Sequence, residues 1–243
     1  MATSKDGATG GRFKTTRWSL VLHAGAQDAP AARMALEALC NQVWYPLYGY
    51  VRRRGYSPED SQDLVQGFFA RLFESGDLAK VSTAHGRLRS FLLAALKHHV
   101  ANHRRGVQAL KRGGGLRVVS IDLEDAEGRL AVEPADLDTP ARDFDRRWAK
   151  ALLERVLATL ADEFRAAGRL ELFVLLEPSL GGDTPSHIKV AERLGMTHGA
   201  VKVAAHRLRR RYGELLRREI AQTLDRPEDV EDEIQNLFAA LRN

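Results

Sequence analysis

The chain has 243 residues, a formal net charge of +5, and 44% hydrophobic and 28% charged residues, which predicts one large globular domain or two small ones. Its single cysteine, Cys40, excludes an intrachain disulfide and a zinc site made of cysteines. The longest apolar run, Phe91 to Leu96, is too short to span a bilayer, and residues 1–17 contain no apolar run that suits a secretory signal. We therefore expect a cytoplasmic protein.

Positive and negative charges are segregated along the chain. Residues 97–117 contain six Lys or Arg and no acidic residue, and residues 186–218 contain nine against two acidic residues. Residues 121–145 and 219–243 are acidic instead. Two basic blocks separated by an acidic one predict two nucleic-acid contacts on one chain.

The first predicted elements follow a polar N-terminal segment. Residues 1–14 are small and polar, so we expect them to be disordered. A helix is predicted from about Pro30 to Arg54, with apolar residues at helical intervals: Ala35, Leu39, Val43, Leu47 and Tyr50. Pro46 lies inside this pattern and predicts a kink or a break, and Gly55 predicts the end of the helix.

The second predicted helix runs from Glu59 to about Glu74, after a start signal at Ser57-Pro58-Glu59-Asp60. Its apolar residues form two adjacent lines: Leu64, Phe68 and Leu72 beside Val65, Phe69 and Phe73. Composition alone favours burial in a core, although so aromatic a face also suits a hydrophobic surface for a partner. A third helix, from Leu88 to Arg105, places Lys97, Arg104 and Arg105 where they can track phosphates.

Histidines on the third helix allow a different interpretation. His99 and His103 are four residues apart and His98 adjoins them, so two imidazoles share one helix face and suit a metal ion. No HExxH pattern accompanies them, and the neighbouring arginines disfavour a bound dication. Histidines on a phosphate-facing helix are therefore favoured over a metal-dependent hydrolase that uses His99 and His103.

Residues 106–145 have the composition of a linker. Three consecutive glycines at 113–115 break the preceding helix, and an acidic run with prolines at 134 and 140 follows. The stretch Leu116–Leu123 suits a short extended segment. A segment that occupies a site built for nucleic acid and a flexible tether are equally consistent with this acidic composition.

A helix and an apolar segment precede the most informative stretch, and a helix follows it. The first runs from about Phe144 to Ala167 and has an inner face of Trp148, Leu152, Val156 and Leu160. The segment 170–177 packs next. The last helix, Arg226–Asn243, has a single apolar stripe: Val230, Ile234, Leu237 and Leu241. We expect this tail to cap the preceding domain, with binding to a partner as the alternative.

The stretch from Thr184 to Tyr212 predicts a helix-turn-helix. Thr184 suits an N-cap, and Pro185 suits the first position of a helix with the stripe Ile188, Ala191 and Leu194. Gly195 suits a left-handed turn, and Thr197 suits the cap of the next helix. The predicted inward face of that helix is Val201, Ala204 and Leu208, since small residues let two helices cross closely.

The outward face of this second helix is strongly basic, with Lys202, His206, Arg207, Arg209, Arg210 and Arg211. Such a helix fits the major groove of DNA, with its early turns near base edges and its later arginines near phosphates. A solvated basic helix in an ordinary bundle is the alternative. The agreement of turn, caps and core spacing favours a DNA-reading element.

Residues 60–69, Asp-Ser-Gln-Asp-Leu-Val-Gln-Gly-Phe-Phe, resemble the polymerase-binding helix of the extracytoplasmic-function sigma factors, whose pattern is Asp-Ala-Glu-Asp-Leu-Val-Gln-Glu-x-Phe. The resemblance covers about residues 16–112 and 146–218, including the basic helix after Arg89-Ser90-Phe91-Leu92 and the helix-turn-helix. The segment around Trp18, the run Tyr45-Pro46-Leu47-Tyr48 and the C-terminal extension are similar to a divergent branch of that family.

The resemblance implies roles for particular residues. Positions that dock on the polymerase largest-subunit clamp correspond to Asp60, Asp63, Leu64, Gln66 and Phe68, and Gly67 replaces the usual glutamate. The loop Ser75–Gly86, with His85, matches the loop that captures a flipped base of the minus-ten element. Contacts to the minus-ten region fall to Lys97, His98, Asn102, Arg104 and Arg105. Contacts to the minus-thirty-five element fall to Thr197, His198, Ala200, Lys202, His206, Arg207, Arg210 and Arg211.

The resemblance thus implies an all-α protein with two helical domains joined by a long linker. The expected boundaries are a disordered N-terminus at 1–14, a sigma region-2-like domain at 15–112, an acidic linker at 113–143, a sigma region-4-like domain at 144–224 and a C-terminal helix at 225–243. Expected partners are the clamp and flap regions of RNA polymerase core, promoter DNA, and an anti-sigma factor or other regulator. We expect a nucleoid-associated protein without catalytic residues, metal, cofactor or membrane contact. The main alternative is a helix-turn-helix regulator that does not bind polymerase.

Overall fold

The computed structural model describes residues 30–74, 87–106, 123–133, 139–183 and 185–242. These residues form nine α-helices: α1 (Pro30–Arg52), α2 (Pro58–Glu74), α3 (Leu88–Gly106), α4 (Leu123–Val132), α5 (Pro140–Ala166), α6 (Leu170–Leu176), α7 (His187–Leu194), α8 (His198–Ala221) and α9 (Val230–Arg242). The predicted all-α class is confirmed for this part of the chain. The predictions for residues 1–14, for the loop Ser75–Gly86, for most of Leu116–Leu123 and for the Thr184 cap lie outside the described residues.

The first two helices begin and end close to their sequence signals. The helix α1 continues through Pro46 without a break and ends at Arg52, two residues before the predicted end. Gly55 follows with φ 86°, and the Ser57 hydroxyl accepts a hydrogen bond from the Asp60 N–H at 3.0 Å, which caps α2. Capping and turn signals therefore located this helix boundary to within two residues.

The helix α5 lies at the centre of the described fold and contacts α1, α3, α6, α8 and α9. It begins earlier than predicted, because the Thr139 hydroxyl caps it and Pro140 occupies its first turn. Its predicted inner face is confirmed, since Trp148, Leu152, Val156 and Leu160 are all buried. Gly49 of α1 permits the close approach of α5, because a Cβ atom there would lie only 2.8 Å from the Arg147 side chain.

One continuous cluster of buried side chains joins the two halves of the described fold. It includes Leu47 and Val51 of α1, Leu152 of α5 and Leu208 of α8. The helix α2 packs on α1, and α3 packs on both α2 and α5. The two segments that the sequence assigns to separate domains therefore contact each other directly, and their division into two domains stays a prediction.

Part of the predicted acidic linker is a packed helix. Glu127 of α4 accepts two hydrogen bonds from the Arg52 guanidinium, both at 2.8 Å, and one from the Tyr48 hydroxyl at 2.6 Å. These hydrogen bonds, led by that from Arg52, hold the pKa of the Glu127 carboxyl below its usual range. The Arg129 guanidinium lies 4.3 Å from the centre of the Tyr45 ring. The acidic residues of this segment thus bind α1, a role that their composition did not reveal.

The C-terminal helix α9 packs on α5 and α8, which confirms the expected cap on its own chain. Val230 and Leu237 are buried, and Ile234 and Leu241 are partly buried against the same cluster. The gap between α5, α8 and α9 is lined only by apolar residues, including Leu153 and Leu216. The predicted apolar stripe is therefore the contact face of the helix.

Candidate nucleic-acid interface

The helices α7 and α8 are joined by the tight turn that the sequence predicted. Gly195 is in the left-handed conformation, φ 61° and ψ 32°, and the Met196 N–H donates to the Ala191 carbonyl at 2.9 Å. The Thr197 hydroxyl accepts from the Ala200 N–H at 3.2 Å and so caps α8. The predicted start of α7 was wrong, since Ser186 is the N-cap and Pro185 precedes the helix.

The packing between these helices differs from the prediction at two positions. Ile188 is 60% exposed, whereas its neighbour Val190 is buried with Ala191. Ile188 lies in the first turn of a helix of eight residues, beyond its buried contact face. On α8 the buried face is Val201, Ala205 and Leu208, and the predicted Ala204 is only partly buried. Ala204 instead lines a groove beside the turn.

The outward face of α8 presents cations to solvent. Lys202, His206, Arg207 and Arg209 are exposed, and none of them forms an ion pair with any residue that the structure describes. The predicted contacts in the first turn of this helix, His198 and Ala200, are also exposed, as is the capping residue Thr197. The early turns and the basic positions therefore share a surface that DNA can reach.

The last two predicted contacts on α8 are already engaged by carboxylates. Arg210 is exposed and pairs with Glu214 of its own helix at 3.0 Å. Arg211 is partly buried and forms a bidentate ion pair with Glu163 of α5. Its Nε and Nη2 donate to the two carboxylate oxygens at 2.8 and 2.5 Å. The Arg211 hydrogen bonds hold the pKa of the Glu163 carboxyl below its usual range. Arg211 thus fastens α8 to α5, a structural role that the sequence analysis missed.

A groove of about 560 Å³ lies beside the turn. Its apolar wall comprises Phe164, Leu172, Leu194 and Met196, together with Val203, which is 50% exposed. Arg169 and Arg207 also line it. The groove adjoins the early turns of α8, so apolar and cationic groups are both available next to the candidate DNA surface.

The predicted minus-ten residues lie on α3. Lys97, His98 and Arg104 are exposed and Asn102 is partly exposed, whereas the side chain of Arg105 lies outside the described residues. His99 is on a different face, with its ring 6.0 Å from that of Phe68. Burial, with smaller Coulombic effects of the nearby Arg71 and His103, lowers the pKa of His99 to about 4, so this imidazole is neutral at pH 7.

The predicted polymerase-binding residues on α2 are divided between surface and core. Asp60 and Asp63 are exposed and Gln66 is partly exposed, whereas Leu64 and Phe68 are each only 3% exposed. Leu64 and Phe68 belong to the core in this conformation. Gly67 is partly exposed and faces His99, where an added Cβ atom would make an ordinary contact of 3.7 Å with the imidazole.

The alternative metal site has little geometric support. His103 is exposed, whereas the His99 ring packs against Phe68. Within the described residues, no group of three or more His, Cys, Asp or Glu side chains is arranged to hold a metal ion. In the same part of the chain, no helix is both long and apolar enough to cross a lipid bilayer.

No known protein family, curated protein or solved structure matches this chain. Its function is therefore inferred from its own residues and their arrangement.

Proposed function

We propose that this protein is a sigma factor, which binds RNA polymerase core and directs it to promoters through minus-ten and minus-thirty-five contacts. The observation that supports this most strongly is the capped helix-turn-helix whose second helix presents exposed cations that form no ion pair with described residues. Lys202, Arg207 and Arg209 are exposed and free of ion pairs to described residues, so their charge is available to a polyanion.

In this proposal α8 reads the minus-thirty-five element. Its first turns carry Ala200, Lys202 and Val203, which are exposed and therefore able to reach base edges in the major groove. Arg207 follows in a later turn and contacts phosphate. The pair between Arg210 and Glu214 is exposed, and such surface pairs contribute little free energy, so phosphate can displace the carboxylate.

The second DNA contact in this proposal is the exposed face of α3. Lys97, His98 and Arg104 share that face, and Asn102 lies beside them. A basic helix with one amide side chain suits a segment that tracks phosphates and makes few polar contacts to bases. The family resemblance assigns this surface to the minus-ten element.

The polymerase contact falls on α2. Asp60, Asp63 and Gln66 form its accessible polar face, which we assign to the clamp of the polymerase largest subunit. Leu64 and Phe68 support that face from the core side of the same helix. The same burial favours the second candidate function, a helix-turn-helix regulator without polymerase binding, because two of the five resembling residues are inaccessible.

Co-purification with bacterial core RNA polymerase separates the two candidates. We expect the wild-type protein to retain core polymerase on a column, and the double variant Asp63→Ala, Gln66→Ala to retain less than about one tenth as much. Such a loss corresponds to at least 1.4 kcal/mol at subsaturating polymerase. The exposed pair Arg165 and Asp162 on α5 offers a control site, since Asp162→Ala leaves α2 untouched.

Circular dichroism and thermal unfolding of both variants establish that the helices are intact. Equal retention by the wild-type protein and the double variant would contradict the assignment of α2. Absence of any retention, together with specific DNA binding, would favour the regulator.

A further inference from the structure

The C-terminal helix is tied to the N-terminal half of the described fold by a buried carboxylate. Glu233 of α9 is 1% exposed, accepts a hydrogen bond from the Arg89 Nε at 2.7 Å and forms an ion pair with the Arg87 Nε at 3.0 Å. Arg89 is 8% exposed and also pairs with Asp145 of α5. Two guanidinium groups and two carboxylates therefore balance each other where α3 begins.

Backbone hydrogen bonding reinforces this contact. The Leu88 N–H donates to the Thr223 carbonyl at 2.9 Å, and Arg87 pairs with Leu224 in an isolated antiparallel bridge. Leu88, Thr223 and Leu224 are all buried. We call the six residues Arg87, Leu88, Arg89, Thr223, Leu224 and Glu233 the clasp. It joins the start of the predicted minus-ten helix to the chain that follows the predicted minus-thirty-five helix.

The clasp depends on the attraction between the Glu233 carboxylate and the guanidinium groups of Arg87 and Arg89. Removing one partner of a buried ion pair leaves the other charge without compensation in a medium of low polarity, which strongly disfavours the contact. An amide at position 233 would keep the shape of the side chain, remove the carboxylate that pairs with Arg87, and leave Asp145 as the remaining carboxylate partner of Arg89. The substitution Glu233→Gln, which replaces one carboxylate oxygen with an NH2 group, should therefore release the clasp.

The clasped form is too small for two promoter elements at once. A compact body the size of the described part of the chain, about 180 residues, has a radius of gyration of about 16 Å and a diameter of about 41 Å. Elements centred about 25 base pairs apart are separated by roughly 85 Å along a duplex. A chain that contacts both must therefore separate α3 from α8.

We propose that the clasp is an intramolecular latch, which holds the two predicted DNA-binding helices together in a closed form and opens when the protein binds polymerase. The claim that polymerase binding opens the latch rests on the proposed function, whereas the claim that the clasp holds α3 and α8 together does not. The latch lies in the C-terminal helix, so this helix controls access to the promoter-binding form as well as capping the fold.

Two variants change the latch in opposite directions. Glu233→Gln should release it, and the double variant Arg87→Cys, Leu224→Cys should lock it. Residues opposite each other in an antiparallel bridge have Cα atoms about 4.5–5.5 Å apart, within the range that a disulfide spans. Glu231→Gln is the matched control, because Glu231 lies on the same helix and its one ion pair within the described part of the chain is an exposed contact with Arg217 at 2.7 Å.

The readouts are X-ray scattering of the free protein and its affinity for bacterial core RNA polymerase. We expect Glu233→Gln to have a larger radius of gyration and about tenfold higher affinity, as for a competent population that rises from about one tenth to nearly all molecules. The oxidised double-cysteine variant should bind at least about tenfold more weakly than its reduced form. Glu231→Gln should match the wild-type protein in both measurements.

The outcomes separate the latch from the proposed function. Equal affinity of the oxidised and reduced forms, with wild-type scattering and affinity for Glu233→Gln, would overturn the latch. If no form binds polymerase, the sigma-factor assignment fails, and scattering alone decides the latch: an expanded Glu233→Gln supports it, and an unchanged one contradicts it. Circular dichroism identifies loss of helix, in which case the redox pair alone decides.

Discussion

Neighbouring arginines on α8 differ in what they contact. Arg207 is exposed and makes no ion pair with the described residues, whereas Arg211 is bound by Glu163 of α5 and by Glu214. Sequence reasoning placed both among the DNA contacts because both lie on the outward side of a basic helix. Glu163 is 48 residues away along the chain, so no local pattern signals this contact.

Lys202 and Arg207 should affect DNA binding in different ways. Lys202→Ala removes a side chain from an early turn and should cost about 1–3 kcal/mol on the preferred duplex, with a smaller loss on a scrambled one. Arg207→Ala removes the phosphate contact that we propose and should weaken binding to both duplexes equally, reducing the log–log salt slope by about 0.9. Fluorescence anisotropy at several salt concentrations measures both effects.

Arg211→Ala is the structural control for this pair. Because Arg211 joins α8 to α5, its loss should lower the thermal unfolding temperature, which Arg207→Ala should leave unchanged. Equal weakening of both duplexes by Lys202→Ala would contradict the placement of the early turns at base edges.

His99 should make the stability of the fold sensitive to acid. Its folded-state pKa of about 4 lies below the ordinary 6.5, so the unfolded chain binds a proton that the folded chain does not. The contribution of the neutral His99 to the free energy of unfolding is therefore fully present above pH 6.5 and is lost as the pH falls toward 4. Urea unfolding at pH 7.0 and pH 4.5 should show a smaller acid-induced loss of stability for His99→Gln than for the wild-type protein.

The exposed His206 provides the comparison for His99. His206→Gln should retain the wild-type difference in unfolding free energy between the two pH values. An identical pH dependence in the wild-type protein and His99→Gln would contradict the buried, neutral imidazole.

At the level of elements, local signals predicted turns and caps better than packing faces. Gly195 and Thr197 act through their own backbone conformation and the next few residues, so their roles are readable from sequence. The burial of Ile188 and Ala204 depends on which neighbouring helix covers them. Both were predicted to be buried, but Ile188 is exposed and Ala204 is only partly buried. The helix α4 was missed, because its Glu127 binds Arg52 and Tyr48, which are far away in the sequence.

The cap formed by α9 can be tested at one buried position. Leu237→Ala removes a side chain that is 6% exposed and should cost about 2–5 kcal/mol, lowering the unfolding temperature by about 10 °C. Gln235→Ala on the exposed side of the same helix should change it by less than about 2 °C. Differential scanning calorimetry compares the two. A wild-type unfolding temperature for Leu237→Ala would show that α9 does not stabilise the fold.

At the level of the whole molecule, α5 contacts helices of both segments that the sequence assigned to separate domains. It contacts α1 and α3 on the N-terminal side and α6, α8 and α9 on the C-terminal side. Hydrophobic periodicity predicted the inner faces of α5 and α9, but it carries no information on which helix covers them. The all-α class and the helix-turn-helix were therefore predictable, whereas the contact between the two halves was not.

Reconstituted transcription tests the central claim most directly. Bacterial core RNA polymerase, genomic DNA fragments and this protein are combined, and the 5′ ends of the transcripts are mapped. The proposed function predicts a reproducible set of start sites that is absent with core polymerase alone and reduced with Lys202→Ala. Start sites identical to those of core polymerase alone, from a protein that still binds DNA, would contradict it.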